Sequence, residues 1–355
     1  MSNVNDVNIR AQRNGSHGLS SSATSQYNPY LKHALGNFFT PAGIKLENKH
    51  RVLVRQAPQN SVTSSTFLDG GDVSFKIERG SMSVLSHAYL QFKITNSTGA
   101  GVTLAPIQSC VSKIDLYGNN GGNIIFSITG DEMMLSNLFL ERTEFEALYA
   151  QLGFVSTAYA TTGSVIANGA SSIYYLPLIH LFPQVRLFLA GLDSELTVRV
   201  LMKSSALNLI SGTHPTVTDV SLLLRGYDEP EVIKASRMAI YNNQKLALKL
   251  PYMNFLQHRD SQTLAVSSTY NTVLSTLKGT FGGLLITFRA SAVTGANQNT
   301  FQAIASFDLQ LASGNSLLGH YVRLHEDNLI EAAEKFPNLM INNKFYSVLY
   351  SLPAF

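Results

Sequence analysis

The amino-acid sequence predicts an all-β protein with two short helical insertions, arranged as two similar β-barrels or sandwiches in tandem. Three observations carry this. Apolar and polar residues alternate at a period of two over several short runs, the spacing of half-buried strands. One order of elements, several strands, a late helix and further strands, occurs before residue 228 and again after it. A chain of 355 residues is long for one domain and comfortable for two.

The first 45 residues stand apart. The stretch NGSHGLSSSATSQYNP at 14 to 29 is rich in Ser, Asn and Gly and has no periodicity, so it reads as an extended arm that orders only on assembly. From Val73 the alternation is strict, with Val73, Phe75 and Ile77 apolar and Ser74, Lys76 and Glu78 polar. Ala88, Leu90, Phe92 and Ile94 repeat the pattern, and further strands are expected at 111 to 117 and 123 to 128, separated by the turn residues Gly118 to Gly122. The period then becomes helical: Met134, Leu138, Phe145, Leu148, Tyr149 and Leu152 share a face, and Thr129 with Glu132 fits a capping box. A helix of about five turns is expected there. Strands return at 172 to 178, 185 to 189, 195 to 202 and 217 to 226, and GYDEPEVIKAS marks a boundary.

The second half follows the same plan. Strands are expected near 239 to 250, 271 to 279, 283 to 289 and 303 to 311. Leu329, Ile330, Ala333 and Phe336 then fall at helical spacing before Pro337, and Tyr346, Val348, Tyr350 and Leu352 line one face of a last strand.

Composition narrows the function. Only 14% of residues are charged, against about 25% in an average soluble protein, while 45% are hydrophobic. Disorder throughout is excluded, and so much apolar material with so little charge points to burial between copies of the chain. Residues 1 to 55 hold seven basic groups (Arg10, Arg13, Lys32, Lys45, Lys49, Arg51 and Arg55) against Asp6 and Glu47. This leaves a near-neutral body with a mildly basic arm, suited to anionic lipid or nucleic acid at that end or simply a solvated tail. The single cysteine, Cys110, reads as a small core residue. The N-terminus has no apolar signal core, and the longest apolar stretch, near Tyr174 to Phe182, is too short to span a membrane.

Catalytic patterns are sparse. No two of the nine histidines stand at i and i+2 or i and i+4, so no metal site is expected. Gly118 to Gly122 joins two strands and opens no helix that would cradle a phosphate. Glu141, Glu144 and Glu146 suit a solvated or interface helix face better than a paired acid and base. The absence of tryptophan weighs against a stacked sugar site, and no basic stripe or known motif points to sequence-specific nucleic-acid binding. Asn14-Gly-Ser and Asn96-Ser-Thr match glycosylation sequons by chance.

Over roughly residues 46 to 355, ordered phrases resemble the double jelly-roll major capsid proteins of tailless icosahedral, often membrane-containing viruses, the tectivirus and adenovirus lineage. The phrases are GGDVSFKIERGSMSVLSHAYLQFKITN, CVSKIDLYGNN, NIIFSITGDE, SSIYYLPL, ELTVRVLMKS, VTDVSLLLRGYDEP, TLKGTFGGLLITFR and KFYSVLYSL. The resemblance implies an arm at 1 to 45, an eight-stranded jelly-roll barrel at 46 to 228 and a second at 229 to 355. Family members continue with further strands after the one resembling FYSVLYSL: either the second barrel here is abbreviated, or another segment completes it, or more chain follows Phe355.

The resemblance also implies a non-enzymatic subunit of the virion shell, without active site, cofactor or metal, assembled in the host cytoplasm. Three chains would bring six barrels into a nearly hexagonal capsomer. The implied partners are the chain itself, as homotrimer and neighbouring capsomers, minor capsid and penton proteins, and internal membrane lipids. Arg10, Arg13 and Lys32 of the arm would face the inner side. Two other classes compete: a jelly-roll carbohydrate- or receptor-binding module, tested by glycan binding, and a β-sandwich hydrolase working through Glu141, Glu144 and Glu146.

Overall fold

The computed structural model describes residues 50–62, 66–118, 122–137, 165–181, 187–244, 260, 268–274, 283–290, 292–310, 323–324 and 345–349. Eight strands build the first half: β1 (His50–Gln56), β2 (Asp72–Ile77), β3 (Val84–Thr95), β5 (Val111–Gly118), β6 (Asn123–Thr129), β8 (Ser171–Pro177), β10 (Leu196–Met202) and β12 (Thr216–Asp228). They pair antiparallel in two sheets of order β1-β12-β3-β8 and β2-β10-β5-β6. Numbered by position among the eight, these orders are 1-8-3-6 and 2-7-4-5. First pairs with last, second with seventh, third with sixth and fourth with fifth, the wrapped antiparallel ribbon of a jelly roll with its two Greek keys.

Alternation along each strand fills the space between the sheets. Ala88, Leu90, Phe92 and Ile94 of β3 and Leu222 and Leu224 of β12 face Val73, Phe75 and Ile77 of β2 and Leu196, Val198 and Val200 of β10, all buried. Phe92 anchors this core, its ring centroid 5.2 Å from that of Phe67 and 5.8 Å from that of Tyr174. Burying such a side chain contributes about 1.5–3 kcal/mol. Short strands β4 (Val102–Leu104), β7 (Val165–Ile166) and β11 (Leu209–Ser211) form a third sheet, and β9 (Leu187–Phe188) pairs with the start of β3. Gly226 marks a bulge where β12 crosses β3; a Cβ there would lie 2.0 Å from the Val84 carbonyl oxygen.

Helices are more numerous than the two insertions expected. Among the described residues there are α1 (Ile107–Cys110), α2 (Gly130–Ser136), α3 (Ser205–Asn208), α4 (Glu231–Gln244) and a 3₁₀ turn at Leu189–Gly191. The capping box at the start of α2 is formed: Glu132 N–H donates to Thr129 Oγ1 at 3.2 Å, and Thr129 N–H donates to Glu132 Oε2 at 2.7 Å. The remainder of the expected five-turn helix falls at 138–152, outside the described residues.

Five expectations need correction. β1 was unforeseen, because three apolar residues in a row, Val52 to Val54, blur the alternation and its basic residues read as arm. Its pairing with Leu222–Asp228 makes it a strand. Arg51 and Arg55 therefore belong to the body. Where a strand was expected near 239 to 250, α4 occupies the chain from Glu231 through Gln244, and 245–250 lie outside the described residues. Glu231, Lys234, Ala235, Arg237, Met238 and Ala239 favour helix, and Ile233 and Arg237, four apart, turn one face inward. The strand expected at 303 to 311 shortens to β14 (Ser306–Phe307), and 271–274 have no regular structure. Of the strand expected at 185 to 189, the described residues form β9 (Leu187–Phe188), and Leu189 already belongs to the 3₁₀ turn.

In the second half, β13 (Gly283–Thr287) pairs antiparallel with β16 (Phe345–Leu349), and β14 with β15 (Arg323–Leu324). The expected helix at 329 to 336 lies outside the described residues.

Candidate functional site

Chemistry-bearing side chains are dispersed or sealed. Among the described residues no three His, Cys, Asp or Glu side chains gather where a metal ion would be held. Cys110 is buried, its thiol donates to the Ala105 carbonyl oxygen at 3.6 Å, and burial pushes its pKa up to about 12. That disfavours the thiolate a nucleophile needs. His180 is buried, and desolvation lowers its pKa to about 4. Asn96, the second sequon, has a fully buried side chain that donates to the carbonyls of Ala100 and Ile166 and accepts from Thr98, a turn-building role that leaves no room for a glycan. Two shallow clefts lie among the described residues. One, of about 330 Å³, lies between Arg79, Met82, Asp228 and Lys234; the other, of about 420 Å³, lies over Asn60, Asp72, Tyr117 and Arg199.

The outer faces of the two sheets differ more than these clefts do. On β2, β10 and β5 the outward charges are paired. Lys76 Nζ lies 2.5 Å from Glu195, Lys113 Nζ lies 2.9 Å from Asp115, and the Arg199 guanidinium donates two hydrogen bonds through Nε and Nη2 to the Asp72 carboxylate. This surface is neutral and suited to water. On the other sheet, cross-strand rows run Leu53, Arg225, His87 and Arg55, Leu223, Tyr89. Gln91 faces Tyr175, and Lys93 faces Ile173. Leu53 is 68% exposed, Ile173 52% and Tyr175 38%.

A third feature is the junction between the halves. The segment around Gly295 to Phe301 docks against one end of the first barrel. Gly295 N–H donates to the Ala206 carbonyl, Gln298 Nε2 donates to the Leu207 carbonyl at 2.6 Å, and Asn299 Nδ2 donates to Ser109 Oγ at 2.8 Å. Phe301 is buried in the same apolar core as Phe75 and Phe92. Above it, Asp131 binds Lys203 at 3.1 Å and Arg289 at 3.4 Å, and the Arg289 guanidinium lies 5.3 Å from the Phe301 ring centroid.

No family model matches the sequence, and no curated protein does. Solved structures do match. PBCV-1 VP54, as fitted into a cryo-EM reconstruction of the virophage Sputnik, is similar at a TM-score of 0.56 and 16% identity, over 89% of this chain and 81% of that one. The quasi-atomic model of the PBCV-1 virus capsid is similar at 0.53 and 16%, with the same coverage. Both are double jelly-roll proteins. The fold is a double jelly roll.

In this double jelly roll the sequence-expected arm contacts, Arg10, Arg13 and Lys32, lie outside the described residues, as do Glu141, Glu144 and Glu146. Sequence reading missed the junction cluster of Asp131, Lys203, Arg289, Gln298 and Asn299. Its one legible trace is Asn297-Gln298-Asn299, three amides directly before Thr300 and the buried Phe301. It also missed the apolar and basic outer face, since Leu53, Arg225 and Lys93 meet only through strand pairing.

Proposed function

We propose that this chain is a structural subunit of an icosahedral virus capsid, without catalytic activity. The single observation behind the reading is the likeness of the double jelly-roll fold, over 89% of the chain, to the PBCV-1 capsid structures. The physics agrees with it. Two rolls per chain give a homotrimer six upright barrels and a pseudo-hexagonal outline, and lateral packing of barrel flanks reduces the need for surface charge. The basic arm, with Arg10, Arg13 and Lys32, faces the shell interior, against an internal membrane or a neighbouring capsomer. Minor capsid and penton proteins are the remaining partners.

The test is native mass and negative-stain imaging of the purified protein. Three copies of the 38.7 kDa chain give about 116 kDa and a six-lobed particle; a monomer that persists at high concentration overturns the reading. Deletion of residues 1 to 45 is expected to leave the rolls folded and to impair shell assembly or lipid association. Normal particles from that variant overturn the role given to the arm.

A further inference from the structure

The outer face of the β1-β12-β3-β8 sheet carries four cations, Arg51 and Arg55 on β1, Lys93 on β3 and Arg225 on β12. Among the described residues none of the four pairs with a carboxylate, in contrast to the cations of the opposite sheet. Arg55 donates instead to the Gln91 side-chain oxygen at 3.2 Å, which draws its guanidinium across β12 toward β3. Asp219, in the β12 bulge, is the carboxylate at the margin.

Aromatic rings lie between these cations. His87 and Tyr89, two apart on β3, are stacked, with ring centroids 6.3 Å apart and planes 16° from parallel. Tyr175 of β8 pairs with Gln91, which makes it the diagonal neighbour of Tyr89, and it is 38% exposed. Arg225 stands directly opposite His87, the row that begins at Arg55 ends at Tyr89, and Lys93 lies one outward position beyond Gln91. Four strands about 4.8 Å apart make this a platform about 14 Å wide. The four cations come from three strands and meet only through pairing, so no basic stripe is visible in the sequence.

We propose that this face binds single-stranded nucleic acid without sequence preference, with phosphates on the four cations and unpaired bases on His87, Tyr89 and Tyr175. Two features select this ligand. Cations of one sign without carboxylate partners attract a polyanion and release its counterions. Ring faces on a sheet accept bases by stacking, and a single strand offers them, whereas a duplex keeps its base faces inside. An anionic lipid surface would use the charges but not the stacked rings. Gln91, the amide at the centre of the platform, is buried and engaged by Arg55, so base edges go unread. This activity goes beyond the capsid-subunit reading and does not depend on it.

The experiment measures fluorescence anisotropy of a labelled oligothymidylate of about fifteen nucleotides with the full chain, over a salt series. The variants are Lys93→Gln/Arg225→Gln and Tyr175→Leu. All three side chains lie on the outward side of their strands, so circular dichroism and thermal melting of both variants are expected to match the parent. With about three to four phosphates neutralised, log K is expected to fall with log salt at a slope of about −2 to −3, and the double variant to reduce that slope by about 1.4. Tyr175→Leu is expected to weaken binding about fivefold or more with the slope unchanged, and to leave binding of a duplex unaffected.

Absence of oligonucleotide binding overturns the inference, and so does binding that both variants leave unchanged, which would place it on the basic arm. A slope reduced in the double variant with affinity indifferent to Tyr175→Leu overturns the single-strand assignment and leaves a general polyanion surface. Binding of phosphatidylserine vesicles in place of the oligonucleotide, lost in the double variant, assigns the face to lipid and overturns it too. None of these outcomes touches the trimer test, and a persistent monomer that binds the oligonucleotide overturns the capsid reading alone.

Discussion

Arg237 Nη2 lies 2.7 Å from Glu229 Oε1, and both side chains are fully buried. The guanidinium also sits 5.3 Å from the centroid of the Phe188 ring. Glu229 directly follows β12, Arg237 lies on the second turn of α4, and Phe188 belongs to β9, so one ion pair fixes how the chain leaves the first roll. A neighbouring set supports the same corner: Asp228 accepts from both the N–H and the hydroxyl of Ser83, and Glu229 N–H donates to that hydroxyl. A buried pair is not by itself a large source of stability, but breaking it is costly.

Replacing Arg237→Met alone is therefore expected to lower stability by about 3–5 kcal/mol, because it leaves the Glu229 carboxylate buried without its cation. The double replacement Glu229→Gln/Arg237→Met is expected to recover a large part of that loss. Denaturant unfolding of the three proteins measures both. Equal losses in single and double variants would show that packing of the arginine stem, and not the charge, matters here.

At the junction, a Cβ on Gly295 would lie 2.0 Å from the Leu209 carbonyl oxygen. Gly295→Ala is expected to push the docked segment off the end of the first roll, at a cost of about 1–3 kcal/mol. The readout is faster hydrogen exchange and new proteolytic cuts at 292–301, with the strands of the first roll still protected. Unchanged exchange there would mean that the segment shifts without loosening.

The Cys110 thiol is expected to resist alkylation at pH 8 in the folded protein and to react fully after denaturation. Burial both raises its pKa to about 12 and blocks access. Rapid native labelling would contradict its place in the core.

His180 gives the first roll an acid sensitivity. Its pKa is about 4 folded, lowered by burial, against about 6.5 unfolded. The unfolded chain therefore binds more protons between these values. The stability tied to the neutral ring is complete above pH 6.5 and is lost as pH falls toward 4, by about 3 kcal/mol in all. His180→Asn is expected to flatten that part of the pH profile in thermal melts, and a parallel profile would assign the acid loss to carboxylates instead.

The first roll was legible because its strands bury one face each. Val73, Phe75 and Ile77, or Leu196, Val198 and Val200, announce themselves at a period of two, and all six are buried. Legibility failed where burial does not follow alternation. In β1, Leu53 points outward from an apolar run and is 68% exposed, so its strand character depends on a partner some 170 residues downstream. In α4, where a strand was expected from 239 onward, the inward face of the helix holds Arg237, a residue that sequence logic assigns to the surface.

By itself the sequence determined the β-rich class, the approximate positions of β2, β3, β5, β6, β8, β10 and β12, the capped start of α2 and the core placement of Cys110. These depend on local periodicity and on residue types whose burial is nearly obligatory. Only the tertiary structure decided the rest: the strand order that wraps the ribbon into a jelly roll, the docking of Gly295 to Phe301 onto the first roll, and the division of charge between a paired sheet face and a cationic, apolar one. Each joins residues far apart in the chain, and cross-strand register, which no local pattern encodes, is what brings Leu53, Arg225 and His87 into one row.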